Sequence, residues 1–197
     1  GVQGIAGIDE VGVGPLAGPV VAAAVVLPER VPLRGLDASK RVRPPLRQSL
    51  ASESREIALG VGIGEVSPEE IDQQGIYQAS LEAMRRSVAS LMRTTEVAHL
   101  LVDARIVPGV DLPQTSIIKG DQKDASIAAA SIVAKVARDE IMVALAQQFP
   151  GYGWDKNAGY PTAAHKSALI NLGVTPHHRR SFKPVHNILY QDKSINS

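Results

Sequence analysis

Four carboxylates are conspicuous for where they fall: Asp9, Glu10, Asp103 and Asp121. Asp9 and Glu10 follow a short apolar run, Asp103 closes the apolar string HLLVD at residues 99–103, and Asp121 stands just before a long stretch of helical composition. In α/β sheets, side chains at strand ends project from a rigid frame into a crevice, and ligands gather there. Four acids converging in one place would repel one another unless cations were bound. The chain has no cysteine, and no histidines cluster beside these acids, so the donors are hard oxygens of the kind that suit Mg²⁺ or Mn²⁺. Two such ions, about 3.5–4 Å apart, would clamp the attacking water and the leaving oxygen of a phosphodiester. An Asx turn at Asp103 and a helix cap at Asp121 fit the same spacing, so the residues alone leave both readings open.

The elements that must position these acids can be read from periodicity. Residues 4–10 predict a strand with Asp9 at its C-terminal end, and the Ala/Val-rich residues 19–27 predict a second, buried strand. Residues 28–34 read as a loop. A helix is entered over residues 39–45, with Pro44 and Pro45 in its first turn. Residues 57–66 (IALGVGIGEV) predict a strand whose glycines admit a neighbouring backbone. Ser67-Pro68-Glu69-Glu70 is a helix start: Ser at the N-cap, Pro at N1 and Glu70 completing a capping box. A longer helix follows over residues 76–91, then strands at 99–103 and 116–118. The longest helix spans 124–148, and its small residues 128–131 suit close packing on a sheet. Residues 152–159 read as a loop, residues 162–172 as a helix ended by Gly173, and the tail after Lys193 as frayed. The first two strands are joined by too few residues for a crossover helix, which predicts a mixed sheet with an antiparallel start and helices packed around it.

The bulk numbers exclude little. A chain of 197 residues suits one domain with a sizeable core. No apolar run approaches the roughly 20 residues of a membrane span, and residues 19–27 lack the basic segment that precedes a signal peptide's core. The expectation is a soluble, cytoplasmic protein without a membrane partner, and a monomer. Net charge is only +1, but it is unevenly spread. Residues 30–47 hold six Lys/Arg against Asp37 alone, and six more follow residue 151 against Asp155 and Asp192. A segregated basic surface lets a near-neutral protein grip phosphates, although solvated polar faces account for such runs as well.

Several long strings, in order, resemble ribonuclease HII of bacteria, a type 2 ribonuclease H. They are GIDEVGVGPLAGPV at residues 7–20, SPEEID at 67–72, Lys119-Gly120-Asp121 with SIAAASIVAKV at 126–136 and Arg138-Asp139, GYPT at 159–162 with His165, and PHHRRSFKPV at 176–185. The resemblance implies an α/β, RNase H-like fold: a mixed five-stranded sheet flanked by helices, with a helical C-terminal part from about residue 150, as one catalytic domain over residues 1–197. It implies an endonuclease that hydrolyses the RNA strand of RNA/DNA hybrids, incises at ribonucleotides in duplex DNA, and leaves 3′-hydroxyl and 5′-phosphate ends. By resemblance, Asp9, Glu10, Asp103 and Asp121 hold two Mg²⁺ or Mn²⁺ ions. Asp9 bridges them, Asp121 helps hold the ion presenting the water, and Glu10 and Asp103 hold the other. Tyr160 matches the tyrosine that packs on the sugar and hydrogen-bonds the 2′-hydroxyl. Gly12 and Gly14 would turn backbone N–H groups to a phosphate and ribose. Ser39 and Lys40 match a pair meeting the DNA strand, with an N-cap and a solvated lysine as the plain alternative. Arg179 and Arg180 approach the nucleic-acid backbone or dock the C-terminal part. Asp124 and Asp139 read as structural, and His177-His178 lacks a third ligand for a metal. The sequence assigns no sliding-clamp contact.

The main departure from the pattern is at position 13; the stretch Asp37-Ala38-Ser39-Lys40-Arg41 and Pro161 after Tyr160 also differ slightly. Between Gly12 and Gly14 the family has arginine, and this chain has Val13. Arginine would offer a charged fork to a phosphate; valine offers none. If backbone N–H contacts do most of the reading, specificity survives with weaker binding and a shallower salt dependence. If the guanidinium matters, the outcome expected here, incision at single embedded ribonucleotides suffers more than cleavage of long hybrids, which have other footholds. A protein that grips hybrids but cuts weakly is the rival reading, and the presence of all four acids weighs against it. The blocks around residues 126–131 and Tyr160 weigh against another RNase H-like phosphoryl-transfer enzyme such as an integrase.

Overall fold

A computed structural model describes residues 4–29 and 44–190. Its contacts divide into two compact units, one of Gly1–Val11, Val21–Glu65 and Ser80–Ala137, the other of Gly12–Val20, Val66–Ala79 and Arg138–Ser197.

The first unit is built on a five-stranded sheet in the order β3-β2-β1-β4-β5, from β1 (Ile5–Val11), β2 (Val20–Val26), β3 (Gly60–Val66), β4 (His99–Asp103) and β5 (Gln114–Ile117). β1 is central. It pairs antiparallel with β2, from Ala6↔Val26 to Val11↔Val21, and parallel with β4, which in turn pairs parallel with β5. The mixed sheet with an antiparallel start is therefore as the short β1–β2 connection requires. β2 is buried along its whole length, which a strand without alternating polar residues must be.

Helices α1 (Pro44–Ile57), α3 (Ile76–Met92) and α5 (Ala125–Gln148) contribute to this unit. The glycines of β3 fall on one face, two residues apart, beneath α3. A Cβ at Gly62 would lie 2.2 Å from the Ser87 carbonyl oxygen and one at Gly64 2.3 Å from that of Ala83. Residues 127–134 of α5 are buried all round, which is why their composition shows no polar stripe. Leu50 and Ala51 of α1 pack there on Ala128 and Ile132. The start of α5 crosses β1 at Gly7, where a Cβ would stand 2.2 Å from the Ser126 carbonyl carbon and 2.3 Å from the Ile127 nitrogen.

The second unit includes α2 (Pro68–Gln74), α6 (Trp154–Asn157), α7 (Ala163–Leu172) and α8 (Lys183–Tyr190). Ser67 caps α2 through a hydrogen bond from the Glu70 N–H; Thr162 caps α7 in the same way through the His165 N–H. Residues 16–18 run beside the C-terminal segment, through Gly18 N–H to the His177 carbonyl and Arg179 N–H to the Leu16 carbonyl. Two apolar clusters form the interior, one around Met142, Tyr152 and Trp154 and one of Leu16, Leu169 and Val185.

Some boundaries differ from the sequence reading. Residue 57 ends α1 and the strand begins at Gly60, because the leading Ile-Ala-Leu satisfies either pattern. The expected loop at 152–159 contains the single turn α6, and α8 was not anticipated. Ser39 and Lys40 lie outside the described residues. Gly7→Ala should lower stability to urea by about 1–3 kcal/mol, since both crowding atoms are backbone and cannot turn aside. An unchanged midpoint would contradict the close β1–α5 approach.

Candidate active site

The sheet register brings two of the acids to neighbouring strand ends. Ile8 of β1 pairs with Val102 of β4, so Asp9 and Asp103 are the next residues along two parallel strands. Asp9 is wholly buried, and its Oδ1 accepts the Glu10 N–H at 2.8 Å. Glu10 is only half-buried, because the pleat turns consecutive side chains to opposite faces. Asp103 Oδ1 accepts the Gly120 N–H at 2.8 Å. Gly120 opens the short helix α4 (Gly120–Lys123), whose second residue is the buried Asp121. One hydrogen bond thus ties the end of β4 to the turn that carries the fourth acid.

Backbone conformations around this tie are uncommon. Ala104, directly after Asp103, and Lys119, two residues before Asp121, have φ of 57° and 55°. A left-handed non-glycine residue costs on the order of 1 kcal/mol or more, and such strain concentrates at functional sites. Asp124 is a cap: its Oδ1 accepts the Ile127 N–H at 2.9 Å and the Ser126 hydroxyl. Among the described residues no three His, Cys, Asp or Glu side chains stand together as a ready cation cage. The backbone sets Asp9 beside Asp103 in register and ties Asp103 to the start of α4, and the donors are carboxylate oxygens, so the chemistry of the set fits Mg²⁺ or Mn²⁺. A depression lined by Ile5, Leu27, Met92 and Ser126 holds none of these acids.

The second unit carries the other candidate residues. Gly14 is exposed and Val13 half-buried. The ring of Tyr160 stands beside Gly14, where a Cβ would lie 3.5 Å from Tyr160 Cε1. The Tyr160 main chain is held by a buried network. Its carbonyl can only accept, so His165 Nδ1, 3.0 Å away, carries a proton. His165 Nε2 must then accept, as it does from Trp154 Nε1 at 3.1 Å. The Thr175 N–H donates to His178 Nδ1 at 3.0 Å, which puts the proton of His178 on Nε2, 2.9 Å from His165 Nε2. Both rings are fixed as neutral tautomers. Burial pushes His165 below the usual histidine range and, with the neighbouring His165 and His177, pushes His178 down to about 3.

Arg179 is wholly buried. Its Nε donates to the Gly18 carbonyl, its Nη1 to that of Val13, and its Nη2 to those of Gly12, at 2.6 Å, and Pro19. Arg138, equally buried, donates to the carbonyls of Pro19, Ala158 and Ala17. Burial lowers their pKa values to about 10 for Arg138 and about 9 for Arg179, so both are cations at neutral pH. At Gly12, with φ 93°, a Cβ would meet the Arg138 side chain at 2.4 Å; no other residue fits. Arg180 is exposed, and the Asp72 carboxylate accepts the N–H groups of Arg180 and Ser181. Sequence reasoning assigned no role to Arg138, Asp72 or the His165–His178 pair. The signal was present only as their places within the quoted strings, which name residues without saying what they touch.

The profile of the family described as Ribonuclease HII matches residues 6–185. This chain belongs to the ribonuclease HII family. Ribonuclease HII of Cereibacter sphaeroides (strain KD131) is 58% identical over 193 residues, 97% of this chain and 89% of that protein. That of Roseobacter denitrificans is 51% identical over 197 residues, covering 99% and 98%. The crystal structure of ribonuclease H2 from Pyrococcus horikoshii OT3 matches with a TM-score of 0.81 at 27% identity, over 96% of this chain and 98% of that one. The chain is accordingly a metal-dependent endoribonuclease with an RNase H-like fold. No helix among the described residues is long and apolar enough to cross a membrane.

The histidine network gives a pH dependence. With its folded pKa near 3 and an unfolded value near 6.5, His178 binds a proton more readily in the unfolded chain. Its contribution to stability is complete above pH 6.5 and is lost as the pH falls from there towards 3. The melting temperature should therefore drop between pH 7 and pH 4.5, and His178→Asn should flatten that part of the curve. An equal slope in the variant would contradict the neutral, buried assignment.

Proposed function

We propose that this ribonuclease HII cuts the RNA strand of RNA/DNA hybrids and incises duplex DNA at embedded ribonucleotides, with Asp9, Glu10, Asp103 and Asp121 holding two divalent cations. Family membership supports hybrid cleavage. The observation that carries the site is the buried Asp9 one register step beyond the Ile8↔Val102 pair, beside Asp103, which is bonded to the turn bearing Asp121. Mg²⁺ or Mn²⁺ bound there would lower the pKa of a coordinated water and neutralise charge on the scissile phosphate.

The protein's own groups do the rest. The four carboxylates would hold the cations from fixed strand and helix positions, and the nucleophile would be a water so activated rather than a protein group. Water adds to phosphorus as the bond to the 3′ oxygen breaks, which leaves a 3′-hydroxyl and a 5′-phosphate. Tyr160, its main chain fixed by His165, packs on the sugar and hydrogen-bonds the 2′-hydroxyl that only RNA has. The exposed amide at Gly14 contacts the neighbouring backbone, and Ser39, Lys40 and Arg180 meet phosphates farther along. Residues 1–197 act as a single catalytic domain, as a monomer, in the cytoplasm, and the embedded-ribonucleotide activity would serve ribonucleotide excision repair.

Asp9→Asn should lower kcat on a labelled hybrid by at least about a thousandfold while duplex binding stays measurable; retained turnover would overturn the metal assignment. With Val13 in place of a charged side chain, incision at a single embedded ribonucleotide should run well below cleavage of a long hybrid, and Val13→Arg should raise the first more than the second. Equal, efficient cleavage of both substrates by the unaltered protein would contradict that role for position 13.

A further inference from the structure

Two guanidinium groups in one unit are removed from water, and every hydrogen bond described for them ends on a main-chain carbonyl. For Arg179 the acceptors are Gly12, Val13, Gly18 and Pro19; for Arg138 they are Ala17, Pro19 and Ala158. All but Ala158 lie within residues 12–19. A buried cation met only by neutral dipoles is incompletely compensated, and after burial itself the neighbouring Arg138 is a further cause that lowers Arg179. Tyr160, Asp139 and Asp72 are the groups that offset them.

The stereochemistry of the peptide bond supplies the rest. In a trans peptide the N–H of a residue points opposite to the carbonyl before it, and the chain has no cis bonds among its described residues. The Gly12 and Val13 carbonyls point at Arg179, so the Val13 and Gly14 N–H groups point away from it. Gly14 is exposed and lies against the Tyr160 ring, and Arg138 sits 5.9 Å from the centre of that ring. Two outward donors with two buried positive charges behind them form a seat for an anion.

We infer that Arg138 and Arg179 are positioning residues for the substrate's phosphate. Arg179 holds the carbonyls of Gly12 and Val13 so that the next N–H groups face outward, Arg138 holds the same loop farther along at Ala17 and Pro19, and together they supply, from beneath, positive charge that Val13 does not. They touch the loop and not the substrate, so they set how firmly the nucleic-acid backbone is held beside Tyr160 without joining the chemistry. This rests on the proposed nucleic-acid substrate.

The test compares the unaltered protein with Arg179→Gln and Arg179→Lys, each checked by its melting temperature. Hybrid binding without metal is followed against NaCl concentration, and KM and kcat are measured with Mg²⁺. Arg179→Gln should flatten the plot of log K against log salt by up to about one and raise KM roughly tenfold while kcat changes less than about twofold. Arg179→Lys, which keeps the charge, should restore most of the slope. A folded Arg179→Gln protein with the parent slope and KM would overturn the inference, as would a Lys variant no better than Gln.

Inorganic phosphate titrated into the unaltered, isotope-labelled protein decides the matter even if the variants fail to fold. The amide signals of Val13 and Gly14 should shift saturably, and their failure to move would overturn the inference. Failure of the unaltered protein to cleave any hybrid would defeat the functional reading instead, and the phosphate titration keeps the two failures apart.

Discussion

A carboxylate taken wholly out of water at the end of a central strand constrains everything near it. Asp9 has no exposed surface, and an ionised carboxylate in such a place persists only where donors or cations meet it. The fold supplies the means through register. Because β4 runs parallel to β1, its own terminal acid arrives at the same level, and because Asp103 accepts from Gly120, the turn bearing Asp121 is drawn to that strand end. The left-handed residues Ala104 and Lys119 are the local strain accepted in making that turn. The packing of α5 over Gly7, two residues before Asp9, fixes the strand from one face.

The second unit uses the same physics with the opposite sign. Arg138 and Arg179 are buried cations, and they are tolerated because a run of carbonyls from residues 12–19 turns inward to meet them. Turning carbonyls inward turns amides outward, so the burial of charge and the presentation of N–H donors are one arrangement. A fixed set of neutral histidines holds the backbone of Tyr160 in place. The main chain of residues 12 and 13 is therefore positioned by a buried side chain, whatever side chain stands at position 13.

Much of this was legible in the sequence, for identifiable reasons. The strand ends at Asp9 and Asp103 could be read because apolar runs stop abruptly at acids, and the antiparallel start because eight residues cannot carry a crossover helix. The glycines at 60, 62 and 64 announced a close approach, and α3 makes it. What could not be read was tertiary. Arg138 and Arg179 stand in the quoted strings without any sign of burial, since a sequence does not show which arginines find six main-chain carbonyls. His165 and His178 are thirteen residues apart, and nothing local announces that their rings meet or which nitrogen carries the proton. The helix at 183–190 was missed because its apolar residues fall within a string read as a docking segment.

The proposed cation site is the set of Asp9, Glu10, Asp103 and Asp121. Crystals soaked in Mn²⁺ and measured at the manganese absorption edge test it most directly, because the anomalous signal locates the ions independently of any activity. Mn²⁺ is expected in direct contact with Asp9 and with at least two of the other three carboxylates. Manganese bound elsewhere, with these four side chains free of it at saturating concentration, would contradict it.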